Sequence, residues 1–369
     1  MYPFFTETVM EVFVGRCNNP GNWDEALENF KGGLFMTTAW LSAISKNDRK
    51  PVCLKFYQGD KLVAVAGGIE VFFLSSQNKQ LLFYSGIASR SADPSLTKRC
   101  KEALYNYARK EGYQRITLKS YDNQSHVPVK TRNFRETQRL EYVFDLHKNK
   151  DTIIKSFDKD LRRRVRKAKR EGVVFRKSNS PELTEQLFKL IDETYNIRQS
   201  KGYSNYYHLY LPFFNRPEIN ELINNANATF YIAEREKEIL SMQLVLTWGK
   251  RAYGILMGTS SEGYKVGAPS VILYEISCTL KDQDYLYYNI GGVPRSIKHI
   301  GVRNFKDTLG ATRVKSAEEV TNFINPPRIF LNPLLYFKWF LEDHRVLPWQ
   351  IKKPIIHSID RRLKKRDPL

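Results

Sequence analysis

Cysteine is scarce: Cys17, Cys53, Cys100 and Cys278 are the only four, far apart and without a Cys-x-x-Cys pair. That scarcity argues against a disulfide-stapled or zinc-ribbon fold and predicts small buried thiols in a reducing compartment. The six histidines, His126, His147, His208, His299, His344 and His357, show no ligand spacing, and no Ser or Cys sits in a nucleophile motif. Neither a metal site nor triad chemistry is therefore expected. No run of eighteen apolar residues occurs, and Met1-Tyr2-Pro3-Phe4-Phe5-Thr6-Glu7 lacks the basic and apolar regions of a signal peptide. The expectation is a cytoplasmic protein that does not span a membrane. Acidic residues are also under-represented, 39 against 59 Lys and Arg, which leaves a formal charge of +20. Such an excess attracts polyanions at long range, with tRNA, phosphorylated sugars and anionic lipid surfaces as candidate partners.

With 42% hydrophobic and 13% aromatic residues, the 369-residue chain has material for two ordinary cores. Two segments read alike. The first runs through Leu54-Lys55-Phe56-Tyr57, the turn Gly59-Asp60, Leu62 to Gly68 and Leu81 to Gly86, then a helical stretch near 95–110 and a strand Arg115 to Lys119. The second runs through Thr229 to Ala233, the turn Glu236-Lys237, Ile239 to Leu246 and Arg251 to Gly258, then a helix near 269–280 and a strand Tyr285 to Ile290. Both give the order strand, tight turn, strand, strand, helix, strand, so an α+β fold with an internal duplication is expected. The domains are read as 1–150, 151–325 and a helical basic tail, 326–369.

Between the repeats, Leu161, Val165 and Ala168 fall at i, i+4 and i+7 and line one helical face. Seven basic side chains between Arg162 and Arg170 cover the rest, and Gly172 is placed to stop the helix. Arg163, Arg166, Lys167 and Arg170 are candidates for gripping the phosphates of a carrier, because guanidinium matches phosphate with two parallel hydrogen bonds. The alternative is a merely solvated face.

A helix of the form Arg-Arg-x-x-Arg-Lys-Ala-x-x-x-Gly resembles the opening of the second domain in the Fem family. Further matches follow in order: Phe188 to Thr194, Arg198, Lys201-Gly202, Tyr206-Tyr207, Met257-Gly258-Thr259-Ser260 with Ala268-Pro269, Tyr288 to Gly292, and Phe305-Lys306-x-x-Leu309-Gly310-Ala311. Near the start, Phe35-Met36-Thr37-Thr38-Ala39-Trp40-Leu41 is similar to the family's Phe-Gln-Ser-x-x-Trp segment. The resemblance implies two tandem acetyltransferase-like (GNAT-like) domains that move an aminoacyl group from aminoacyl-tRNA to an amine of a peptidoglycan precursor. The glycine pair Gly263 and Gly267 of the second repeat, with no such pair in the first, places the donor in the second domain and the acceptor cleft in the first. The resemblance also implies Lys306 as stabiliser of the acyl oxyanion, with Phe305 shaping the site.

Arg198, Tyr206, Tyr207, Trp40 and Lys46 are by the same resemblance acceptor contacts, although the usual early Gln is missing and Lys46 comes late. Asn289 stands where the family carries Asp, and an amide cannot take the proton of an attacking ammonium, so the general base is left open. Gly263-Tyr264-Lys265-Val266-Gly267-Ala268 approximates an acyl-coenzyme A loop, with Gly263 and Gly267 as donor contacts. No tightly bound cofactor is expected; the donor is aminoacyl-tRNA or acyl-CoA, and the acceptor a phosphorylated or lipid-linked cell-wall precursor. Two alternatives are an acyl-CoA-dependent N-acyltransferase acting on a sugar or small amine of envelope polysaccharide, and a non-catalytic tRNA- or membrane-binding protein. The aromatic stretch from Phe330 to Leu341 with Arg361 to Arg366 either docks on the core or lies on the inner face of a membrane.

Overall fold

The computed structural model describes residues 11–17, 21–73, 75–202, 213–225, 228–294, 300–343 and 349–364. Two compact units divide the chain, one of residues 1–137 with 317–369 and one of residues 138–316.

The first unit is built on β1 (Val12–Arg16), α1 (Trp23–Asn29), α2 (Thr38–Ile44), β2 (Arg49–Gln58), β3 (Lys61–Phe73), β4 (Ser75–Phe83), β5 (Ala88–Ser89), α3 (Pro94–Lys110) and β6 (Arg115–Lys119). β1, β2, β3 and β4 pair antiparallel, and β6 adds parallel to β4 after the crossover through α3. Asp93 caps α3 by accepting from Ser95 N at 2.8 Å, with Pro94 preset for the first turn. Cys100, Leu104 and Ala108, spaced four apart, then pack on Val52, Leu54, Phe56, Leu81 and Phe83 of the sheet.

Onward the chain runs β7 (Phe134–Asp145), which enters the second unit, α4 (Lys150–Ser156), α5 (Lys159–Arg170), β8 (Val174–Ser178), α6 (Leu183–Ser200), α7 (Arg216–Asn225), β9 (Ala228–Arg235), β10 (Glu238–Trp248), β11 (Arg251–Thr259), α8 (Ser261–Val266), α9 (Ala268–Asp282), β12 (Tyr287–Pro294), α10 (Ile300–Thr308) and β13 (Thr312–Thr321), which leaves it. β8, β9, β10 and β11 pair antiparallel, and β12 adds parallel to β11 after α9. The strand, strand, strand, helix, parallel strand order thus occurs in both units, as the repeated sequence pattern anticipates. Leu161, Val165 and Ala168 of α5 are buried against Val271, Ile272 and Ile276 of α9. Gly172 closes α5 with φ +82°, and Val173 N returns to Ala168 O at 3.0 Å.

The last strand of each sheet comes from the far side of the sequence. β7 follows β6 in the chain yet pairs antiparallel with β12, while the end of β13 follows β12 and pairs antiparallel with β6. For this reason the units part at 137/138 and 316/317, against the expected 150 and 325. Tyr142, Phe144 and Leu146 are buried in the second unit's core, and Ala317 to Thr321 belong to the first. The tail is likewise part of the first unit, as α11 (Asn332–Asp343) and α12 (Trp349–Lys364) with a core of Leu335, Leu341, Ile356, Ile359 and Leu363.

Candidate active site

The parallel ladder between β11 and β12 covers only Arg251↔Tyr287, Ala252↔Tyr288 and Tyr253↔Asn289. β11 continues to Thr259, so the strands run on without pairing beyond Asn289, and Glu141 and Lys306 both bond to that stretch of β12. On its other side β12 pairs β7 with a register shift between Asn289 and Gly292, where Gly291 takes φ +83°.

Asn289 is buried and both ends of its amide are used. Its Nδ2 donates to Glu141 Oε2 at 2.6 Å and to the Tyr287 hydroxyl at 3.2 Å, while its Oδ1 accepts from Gly291 N at 2.7 Å. An aspartate there would set two carboxylates against each other, so asparagine at 289 and glutamate at 141 form a matched pair. Glu141 is buried on β7 with 3% exposure.

The shift in register also turns two carbonyls out of the ladder. Lys306, on α10, donates through Nζ to Ile290 O at 2.7 Å and to Gly291 O at 2.8 Å, and Nζ lies 5.4 Å from the centroid of the Tyr142 ring. An ammonium has three N–H groups, so one is left for a ligand. Loss of hydration pushes the Lys306 ammonium down to about 7; Glu141 opposes this and Arg139 adds to it. α10 is followed by Leu309, fully buried, and Gly310 at φ +73°, whose missing Cβ would collide with the Ser156 carbonyl. The Leu-Gly pair of the Phe-Lys motif is thus the anchor that fixes where Lys306 points.

Other residues singled out from the sequence fall elsewhere. Phe305 is 36% exposed on α10. Arg163, Arg166, Lys167 and Arg170 lie exposed along α5; Arg163 pairs with Asp160 at 3.2 Å and Lys167 with Glu171 at 3.5 Å. Arg198 is half-buried near the end of α6, and Tyr206 and Tyr207 lie outside the described residues.

Trp40 and Lys46 belong to the first unit. Trp40 is 0% exposed, its ring edge-on to Phe35 at 4.9 Å and to Tyr84 at 5.5 Å, so it is core packing and not an acceptor contact. Lys46 is exposed in a turn that its backbone closes with Arg49.

The expected phosphate loop is corrected as well. Residues 261–266 form the short helix α8, capped by Ser260 Oγ, which accepts from Gly263 N at 3.0 Å. Gly263 is buried with its Cα against the Leu240 carbonyl, so glycine is required there by close packing on β10. Gly267, at φ +78°, ends α8 and opens α9, and its carbonyl accepts from Ser270 N and Val271 N. With Pro269 lacking an N–H, the start of α9 presents few free amides to a pyrophosphate.

Glu141 was not among the residues read from the sequence. Its only signal is an acid inside the apolar run Leu140 to Phe144, and its pairing with Asn289 depends on the exchanged strand. The first unit holds a small pocket, lined among others by Thr97, Lys101, Ser120, His126 and Glu319. There Lys101 Nζ donates to Glu319 Oε1 at 2.5 Å and to Val129 O at 3.0 Å. Burial, with Lys101 adding to it, pushes His126 down to about 4. The four cysteines are free thiols, and burial pushes Cys53 and Cys100 up to about 12 and Cys278 up to about 11. Among the described residues no cluster of metal-binding side chains occurs, and no helix is long and apolar enough to cross a membrane.

Residues 155–307 match the model of the acetyltransferase (GNAT) domain. Among solved structures the chain is similar to FemX, at 13% identity over 84% of this chain and 97% of that one, with a TM-score of 0.63. It is also similar to a conserved protein of unknown function from Bacteroides thetaiotaomicron VPI-5482, at 12% identity over 84% and 99%, with a TM-score of 0.53. No curated protein matches the sequence. The chain therefore has the Fem-like tandem acetyltransferase fold, and residues 155–307 within it are similar to the acetyltransferase (GNAT) domain.

Proposed function

We propose that the second unit transfers an aminoacyl group from aminoacyl-tRNA to an amine of a peptidoglycan precursor, with Glu141 and Lys306 as its working pair. The observation that carries this reading is the buried carboxylate of Glu141 beside Asn289, in the same strand-end cluster as a lysine with one N–H to spare. In the reaction the acceptor nitrogen attacks the acyl carbonyl, a C–N bond forms, and the ester C–O bond to the carrier breaks. Glu141 takes the proton from the attacking nitrogen, and that proton balances the departing carrier hydroxyl. Lys306 faces the oxygen on which negative charge develops, its other two N–H groups holding it to β12. Asn289 holds Glu141 by hydrogen bond and so acts as a positioning residue. Phe305, Arg198, Tyr206, Tyr207 and Lys46 stay as candidates for shaping the site and contacting the acceptor.

The carrier is favoured as tRNA by the exposed arginines of α5 together with the occupied amides at the start of α9, which suit a phosphodiester backbone better than a pyrophosphate loop. Acyl-CoA is the second reading, supported by the acetyltransferase (GNAT) match itself. Titration of the protein with charged tRNA and with acetyl coenzyme A, side by side at fixed salt by calorimetry, decides between them. Binding of acetyl coenzyme A with none of charged tRNA would overturn the first reading. Binding of neither donor, with no transfer to an amine, would overturn both.

A further inference from the structure

The C-terminal helices present two unlike faces. Inward, Leu335 and Leu341 of α11 meet Ile356, Ile359 and Leu363 of α12, and Lys338 reaches Asp360 at 2.6 Å. The Arg135 guanidinium lies 5.1 Å from the Trp339 ring centroid and bonds Glu342 at 2.8 Å. That interior fully accounts for why the tail is docked. It leaves the other face unexplained.

Outward, Pro333, Tyr336, Phe337 and Phe340 fall at i, i+3, i+4 and i+7 of α11, and all four are exposed. Phe330 stands one turn earlier, in the 3-10 turn Arg328–Leu331, at 78% exposure, with Phe337 at 50% and Phe340 at 45%. Asn322 Nδ2 donates to the Tyr336 hydroxyl at 2.7 Å, so that ring is held in place at the surface. Aqueous surfaces seldom carry aromatic rings in a continuous stripe without an occupant. The tail that carries the ridge is basic: residues 326–369 hold ten Lys and Arg against four Asp and Glu, with Lys353, Arg361 and Arg362 of α12 exposed.

We propose that this aromatic ridge seats the protein on an anionic bilayer, the rings of Phe330, Tyr336, Phe337 and Phe340 entering the boundary between headgroups and acyl chains. The net positive charge of the tail adds attraction to lipid phosphates. Charge selects this occupant over a second copy, since two such ridges would bring together two basic tails on chains of +20. The contact is with the surface alone, since no described helix is long and apolar enough to cross. The proposal does not depend on the acyl-transfer reading, because none of these residues belongs to the strand-end cluster of the second unit.

The test is co-sedimentation with vesicles of phosphatidylcholine, with and without phosphatidylglycerol, using the full chain. Wild type is expected to pellet with the anionic vesicles and not with the neutral ones. The variant Phe330→Ser/Phe337→Ser/Phe340→Ser should bind at least about tenfold more weakly, since each ring removed forfeits its apolar transfer. Arg361→Gln/Arg362→Gln should weaken binding and reduce its salt dependence. As a check that does not rely on the triple variant folding, Phe337→Trp should blue-shift its emission when anionic vesicles are added. Equal pelleting of wild type and the ridge variant, or no shift from Phe337→Trp, overturns the proposal. So does a wild-type dimer that the ridge variant converts to monomer while vesicles bind neither.

Discussion

Lys306 shows how one side chain is prepared by its surroundings. Two of its three N–H groups hold carbonyls of β12, and loss of hydration brings its ammonium down to about 7. If it meets the oxyanion as a cation, turnover should fall as pH rises through about 7, and that falling limb should vanish in Lys306→Met. The variant should also lose roughly two to three orders of magnitude in turnover, as for removal of one oxyanion donor, while circular dichroism shows the fold intact. Stability gives a separate readout. The unfolded chain keeps this lysine protonated up to about 10.5, so between about 7 and 10.5 it binds more protons than the folded one. Wild type should therefore gain stability relative to Lys306→Met as pH rises across that window. Unchanged relative stability in paired melts would contradict the buried position. Glu141→Gln keeps the shape and removes the base, and should lower turnover by about 10² to 10⁴. Asn289 then remains bonded, so a melting temperature near wild type would assign the loss to chemistry.

At the scale of elements, α5 and α10 carry the argument. The apolar stripe of α5 is fixed by burial, and its arginines stand exposed, where they meet an anion or only water. Changing Arg163, Arg166 and Arg170 together to Gln should weaken carrier binding. Each lost phosphate contact to nucleic acid should reduce the slope of log affinity against log salt by about 0.7 to 0.9. Identical slopes for wild type and variant would make them surface charge. For α10 the informative change is Gly310→Ala. Its φ of +73° and the Ser156 carbonyl against its Cα leave no room for a methyl group, so the variant should lose about 1–3 kcal/mol. Turnover should drop with it, because the same turn sets where Lys306 lies.

The molecule as a whole is two copies of one sheet plan whose final strands are exchanged along the chain. This places Glu319 of β13 beside Lys101 of α3, both nearly fully buried, 218 residues apart in sequence. Glu319→Gln leaves a buried ammonium unpaired and should cost about 3–5 kcal/mol, read as a drop in the denaturation midpoint. The same cavity supplies an acid-sensitive group. His126 is held neutral in the fold down to about 4 and titrates near 6.5 when unfolded, so the unfolded chain binds the extra proton between those values. Stability should be lost as pH falls through that window, and His126→Gln should flatten the loss.

Local sequence determined a good deal of this. The spacing of Leu161, Val165 and Ala168, the turn residues between β-rich runs and the repeated order of strands and helix are governed by the periods of helix and strand, and all appear in the fold. The left-handed backbone of Gly310 behind Lys306, at φ +73°, is likewise a local matter of sterics. What local pattern cannot contain is contact between distant segments. The sequence alone reads Trp40 as an acceptor contact, and only packing against Phe35 and Tyr84 makes it core. It reads Gly263 as part of a phosphate loop, and only the closeness of β10 makes it a packing glycine. The gap left by Asn289 is closed by Glu141, 148 residues away, because an exchanged strand lays one beside the other. Periodicity fixed the elements; the pairing of β7 with β12, a choice among sheet edges that no short window of sequence encodes, decided which carboxylate stands in the candidate site.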